Sequence, residues 1–156
     1  MIEYRNTISA NEVNAIRKSM GWRQIHPEQQ QANIDGYAFL VSAYDINEAV
    51  GMAGLIWSGG TTANIYTMLV PEYKNQGIEQ EFISLIFDFV HGKLKPGFGI
   101  SIDIYVQSGQ EGIYEDLGFR YITPENTGIG MKICLTNQIE LTDKMFKQMG
   151  YEIIRK

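Results

Sequence analysis

Two short segments of this chain combine residue types and spacings that could support chemistry. The first is Val70-Pro71-Glu72-Tyr73-Lys74-Asn75-Gln76-Gly77-Ile78-Glu79, lying between an apolar run and a long periodic segment. A helix start exposes unpaired backbone N–H groups and the positive end of the dipole, so it can hold a diphosphate. Asn75, Gln76 and Gly77 can turn the chain so that consecutive amides converge on one anion, and Gly77 has no side chain to block the approach. A strand, a turn and a helix joined through one glycine also serve as plain connection, so this stretch alone leaves both readings open. The second segment is Gly112-Ile113-Tyr114-Glu115-Asp116-Leu117-Gly118-Phe119. It reads as a short amphipathic helix stopped by Gly118, with an aromatic residue entering the core behind it.

The elements that must position these segments follow from periodicity. Residues 2–5 read as a short strand. A helix follows from Ser9 or Asn11, with Val13, Ile16 and Met20 on one face and Gly21 at its end. Residues 26–33 read as a short helix with Pro27 in its first turn. Residues 37–44, 49–57 and 63–70 are three apolar, β-prone runs separated by the turn-like 45–48 and 58–62, which predicts an antiparallel meander. Pro71 stops the third run. The long helix begins near Gly77 and places Ile78, Phe82, Leu85, Ile86, Phe89 and Val90 on one face. Residues 93–98 form a turn and 99–106 a strand, with Ile100, Ile102, Ile104 and Val106 on one side. Residues 111–117 form a short helix, and 119–122 and 130–135 the last core strands. This order is α+β or mixed α/β and departs from a regular βαβ succession. A further helix at about 137–149 and a strand-like 151–154 complete the chain, and could extend the sheet or pair between subunits in a homodimer.

Composition narrows the class. With 156 residues, 44% hydrophobic and 20% charged, the chain is expected to form one domain without a disulfide or metal staple. Its one cysteine, Cys134, fits a reducing, cytoplasmic setting. The N-terminus lacks the pattern of a secretory signal, and no apolar stretch approaches the roughly 20 residues that span a bilayer. A net charge of −5 argues against nucleic-acid binding and favours a cationic substrate. Two histidines and one cysteine without ligand spacing predict no metal site. His91, near a helix C-terminus, complements the dipole. A dinucleotide-binding Rossmann reading fails, because of the required glycines only Gly77 is present and the first strands form a meander.

In this order and about 40 residues apart, the two segments resemble the GNAT (Gcn5-related N-acetyltransferase) superfamily. The PEYKNQGI stretch resembles that family's pyrophosphate loop, with Lys74, Gly77 and Glu79 on its defining places. The IYEDLGF stretch resembles its later helix-to-strand joint. The resemblance covers most of residues 37–135 and implies a mixed, mostly antiparallel sheet flanked by helices. It implies acetyl-CoA as co-substrate and a small-molecule or peptide amine as acceptor. Met68, Leu69 and Val70 would then pair with the pantetheine arm, and Asn75, Gln76, Gly77, Ile78 and Glu79 would contact the diphosphate. Tyr114 falls on the family's general acid, which protonates the leaving thiolate. Its alternative role is to pack the helix onto the sheet. The base remains open among Asp103, Glu72, Glu111 and His26.

Four positions depart from the family pattern. Lys74 keeps the charge of an arginine without its planar fork. Gln107 stands where an asparagine usually bonds the pantetheine, and Gln110 where a small alanine is usual. Glu79 stands where a glycine or alanine lets the cofactor lie close. An enzyme is expected to point the Glu79 side chain to solvent, away from the phosphates. The alternative is a GNAT-fold ligand- or partner-binding module without efficient acetyl-CoA binding. Residues 21–35 are expected to wall the acceptor site, where Trp22 is either a substrate platform or a helix-end packing residue.

Overall fold

The computed structural model of the protein describes residues 1–133 together with Lys144 and Lys147. The chain divides into two units, Met1–Phe119 and Arg120–Lys156. In the first unit, α1 (Ala10–Ser19) begins at a capping box. The Glu12 N–H donates to Ser9 Oγ at 3.2 Å, and the Ser9 N–H donates to Glu12 Oε2 at 2.8 Å. At α2 (Pro27–Gly36), His26 Nδ1 accepts from the Glu28 N–H and Pro27 takes the first turn. Asn14 ties the connection between these helices, donating to the Ile25 carbonyl at 2.8 Å and accepting from the Ile25 N–H at 2.9 Å.

The sheet comprises β1 (Ile2–Arg5), β2 (Phe39–Asp45), β3 (Glu48–Trp57), β4 (Thr62–Leu69) and β5 (Ser101–Ile104), in that spatial order. The first four are antiparallel neighbours, as the meander reading requires, and β5 joins β4 in parallel. A parallel neighbour needs a long crossover, and α3 (Ile78–Lys93) lies within it. The β4–β5 register runs only from Thr62↔Ser101 to Ile65↔Ile104, whereas β4 stays paired with β3 as far as Leu69. Residues 66–69 therefore have β3 on one side and no paired strand on the other among the described residues.

Helix α3 buries Ile78, Phe82, Ile86 and Val90 against the sheet, and also Ile83, which the sequence reading left off that face. Gly51 on β3 permits this approach: a Cβ there would lie 2.7 Å from Leu69 Cδ1 and 3.3 Å from Phe82 Cζ. Ile8, Val13, Ile16, Met52 and Met68 form the smaller core beneath α1. The short helix α4 (Glu111–Asp116) follows β5.

The expected strand at 119–122 does not form, nor do residues 130–133 of the expected 130–135 strand. Two of the backbone groups that a ladder would use are taken locally: the Phe119 N–H donates to the Tyr114 carbonyl, and the Tyr121 carbonyl accepts from Asn126 Nδ2. Residues 134–135 and the expected C-terminal helix and strand lie outside the described residues, so the homodimer expectation falls there too.

Candidate functional site

Tyr114 is positioned by the way α4 ends. Gly118 takes φ +100°, its N–H donates to the Glu115 carbonyl at 3.0 Å, and the Phe119 N–H donates to the Tyr114 carbonyl at 3.0 Å. These paired bonds are a Schellman motif, which brings the residue after the glycine back onto the residue four before it. The rings of Phe119 and Tyr114 accordingly meet edge to face at 6.0 Å. Tyr114 is 4% exposed, and its hydroxyl donates to Glu79 Oε1 at 3.3 Å. Burial pushes its pKa up to about 12, the Glu79 charge adds to this, and a hydrogen bond from the Thr67 side chain opposes it. Thr67 lies in the half of β4 that β5 does not pair.

The start of α3 lies in the same unit. After β4 the chain makes a 3₁₀ turn at Pro71–Tyr73, and the Tyr73 hydroxyl donates to Asp45 Oδ2 at 2.9 Å. Asn75 (φ 61°) and Gly77 (φ 83°) are both left-handed, and no side chain caps the helix. Open space surrounds the missing Cβ of Gly77, so glycine is required there for its backbone angle. Gln76 Nε2 donates to the Glu72 carbonyl at 2.9 Å. Lys74 Nζ donates to Gln107 Oε1 at 2.6 Å, linking the loop after β4 to the loop after β5. Gln110 Oε1 is buried and has no partner among the described residues.

The structure thus joins Tyr114 to Glu79 and Lys74 to Gln107, with Asn75, Gln76 and Ile78 around the helix start. Met68 and Leu69 are buried, Met68 in the core beneath α1 and Leu69 against α3. The Glu79 side chain does not point to solvent, contrary to the expectation for an enzyme, and this counts towards the binding-module alternative. Its carboxylate turns to Tyr114, the hydrogen-bond donor within reach. The four base candidates are not gathered. Glu72 and Asp103 are exposed, Glu111 accepts from the Gly109 N–H at 2.6 Å, and His26 is occupied at α2. Thr67 escaped the sequence reading because a threonine in a strand carries no distinguishing signal.

A second cluster lies on the other face of the sheet and was also missed, apart from Trp22. Helix α1 ends in the same motif as α4. Gly21 has φ +73°, its N–H donates to the Lys18 carbonyl at 3.0 Å, and the Trp22 N–H donates to the Arg17 carbonyl at 2.8 Å. Trp22 therefore folds back, with the Arg17 guanidinium 5.4 Å from its ring centre. Arg17 Nε donates to the Arg23 carbonyl and Nη1 to the Tyr66 hydroxyl, both at 2.7 Å. Tyr37 lies over Gly54, where a Cβ would come within 2.5 Å of its ring, and Gly54 faces Tyr66 across the ladder. Burial pushes the Tyr37 pKa up to about 12, with Tyr66 raising it further and Arg17 lowering it. The shared spacing of RKSMGW and YEDLGF was the signal available.

A surface cleft of about 470 Å³ near Asn6, Gln31 and Tyr37 shares no residue with the Tyr114 cluster. Among the described residues no group of three His, Cys, Asp or Glu side chains could hold a metal, and no helix is long and apolar enough to cross a membrane.

No protein-family model matches the chain, and no curated protein matches it by sequence. Solved structures do match. A Staphylococcus aureus protein described as a probable acetyltransferase superposes with a TM-score of 0.74 at 19% identity, over 85% of this chain and 99% of its own. A GNAT-family acetyltransferase of Streptococcus pneumoniae gives 0.63 at 17% identity, over 88% and 98%. N-acetylglutamate synthase of Neisseria gonorrhoeae, complexed with coenzyme A and N-acetyl-glutamate, gives 0.58 at 14% identity, over 96% of this chain and 33% of that one. With the splayed β4–β5 pair and the crossover through α3, these likenesses establish that the chain has the GNAT fold.

Proposed function

We propose that this chain is an N-acetyltransferase that moves an acetyl group from acetyl-CoA to a primary amine of a small molecule, amino acid or peptide, with Tyr114 as general acid. The observation that carries this reading is the buried Tyr114 hydroxyl beside Thr67, on the half of β4 that β5 leaves unpaired. The hydroxyl keeps its proton at neutral pH, and opening the Glu79 contact would lower its pKa from about 12 and so ease proton transfer.

The residues present fit acetyl-CoA. The free edge of residues 66–69 offers main-chain groups to the pantetheine amides, whereas the Val70 N–H already donates to the Val50 carbonyl and its carbonyl accepts from the Tyr73 N–H. Gln110 Oε1 is a buried acceptor that an amide N–H would satisfy. The uncapped start of α3, reached through left-handed Asn75 and Gly77, offers N–H groups to the diphosphate. When bound, acetyl-CoA supplies an activated acyl group and a thiolate leaving group. Tyr114 holds a proton for that thiolate, and Lys74 contributes positive charge. Two contacts must open first: Tyr114 to Glu79, and Lys74 to Gln107.

Those two contacts also support a second reading, a GNAT-fold binding module in which the cofactor groups satisfy one another. Release of free thiol from acetyl-CoA, measured with and without amines, separates the two. Amine-dependent release supports the enzyme. Release only with thiol or alcohol acceptors, or none at all, counts against it.

A further inference from the structure

The Arg17 cluster stands outside the machinery just described, yet it reaches the neighbouring residue of the same strand. Tyr114 lies beside Thr67 on one face of the sheet, and Arg17 hydrogen-bonds Tyr66 from the other. Successive strand residues point to opposite faces and their Cα atoms are about 3.8 Å apart. Both side chains thus converge on β4 just past Ile65, its last residue paired with β5. Tyr114, Phe82 and Ile86 share the core on one face, and Tyr66, Trp22 and Tyr37 pack on the face that holds Arg17.

Arg17 is a partly buried cation, and no carboxylate lies within 4 Å of it among the described residues. Its neighbours one turn along the helix are Val13 and Gly21, and Glu12 is engaged by Ser9 and Tyr44. The Arg23 carbonyl, the Tyr66 hydroxyl and the Trp22 ring fix the guanidinium in place. Those two hydrogen bonds use Nε and Nη1 and leave Nη2 outside both. A guanidinium pre-organised in this way matches a carboxylate, with aromatic walls for the stem of the ligand.

We propose that Arg17 recognises a carboxylate on the acceptor, so that the substrate is an amine that also carries a carboxylate, such as an amino acid or a peptide with a free C-terminus. This deepens the acetyl-transfer reading and rests on it. The net charge of −5 does not oppose it, because recognition is local to Arg17.

The test measures acetyl transfer to the common L-amino acids and simple dipeptides, each beside its C-terminal carboxamide. Wild-type protein is expected to use at least one free acid with a KM about 10- to 100-fold below that of its amide. Arg17→Met should erase that difference, read as the ratio of KM for acid and amide, and Arg17→Lys should restore part of it. The acid–amide comparison needs only wild-type protein, so a variant that fails to fold does not remove the test. Equal use of acids and amides, a preference that survives in Arg17→Met, or no transfer to either set by protein that binds acetyl-CoA overturns the proposal. Absence of acetyl-CoA binding in a separate titration overturns the acetyl-transfer reading itself.

Discussion

The Tyr114 hydroxyl donates to the Glu79 carboxylate across 3.3 Å, joining the proposed general acid to the first turn of α3. In the proposed reaction Glu79 would compete with a leaving thiolate for the proton that Tyr114 carries. Its charge also lies in the first turn of α3, where a diphosphate would sit. Replacing Glu79 by Gln removes that charge with little change in shape. Coenzyme A should then bind about three- to tenfold more tightly, read by calorimetry. The Tyr114 pKa should fall, because both the charge and the hydrogen bond of Glu79 raise it. NMR titration of ring-labelled tyrosine checks that direction.

Removing the phenol tests the acid role. Tyr114→Phe keeps the ring that packs on Phe119 and loses the proton. It should lower kcat by about 10²- to 10³-fold with the acceptor KM little changed. An unchanged kcat would assign Tyr114 to packing alone.

Alkaline stability should report buried Tyr114 and half-buried Tyr37. Tyr37 and Tyr114 have pKa values raised from 10.0 to about 12 in the fold. Below pH 10 both states hold these protons, so their contribution is fully present. Between pH 10 and 12 the unfolded chain loses protons that the fold retains, and stability falls by about 1.4 kcal/mol per pH unit for each residue. Urea unfolding of wild type, Tyr37→Phe and Tyr114→Phe across that range should show each substitution reducing the slope.

The two Schellman glycines should be sensitive for a conformational reason. No atom would meet a Cβ at Gly21 or Gly118, so a substitution pays only for the left-handed backbone. Gly118→Ala and Gly21→Ala should each destabilise by about 1–2 kcal/mol in thermal or urea unfolding. Gly118→Ala should lower transfer further by displacing Tyr114.

Much of the scaffold was legible in the sequence. Its meander runs are apolar, β-prone and bounded by turn-like segments, and the face from Ile78 to Val90 keeps helical spacing over more than three turns. The strand at 119–122 misled because Phe119, Tyr121 and Ile122 are β-prone, while their neighbourhood spends its backbone hydrogen bonds on a helix cap and a turn. Tyr114 stood out through the glycine and aromatic residue behind it. Its bond to Glu79 spans 35 residues and arises only when α3 and α4 lie on one sheet. Arg17 was hidden because a single arginine on an amphipathic helix reads as a solvated side chain. The fold back of Trp22, the Arg23 carbonyl and the hydroxyl of Tyr66 draw it inward.

Calorimetric titration of the purified protein with acetyl-CoA tests the central claim most directly. The account predicts saturable one-site binding, with a Kd in about the 1 μM to 1 mM range usual for enzyme substrates, tightened in Glu79→Gln. No heat and no thermal stabilisation at millimolar acetyl-CoA, in wild type and Glu79→Gln alike, would contradict it.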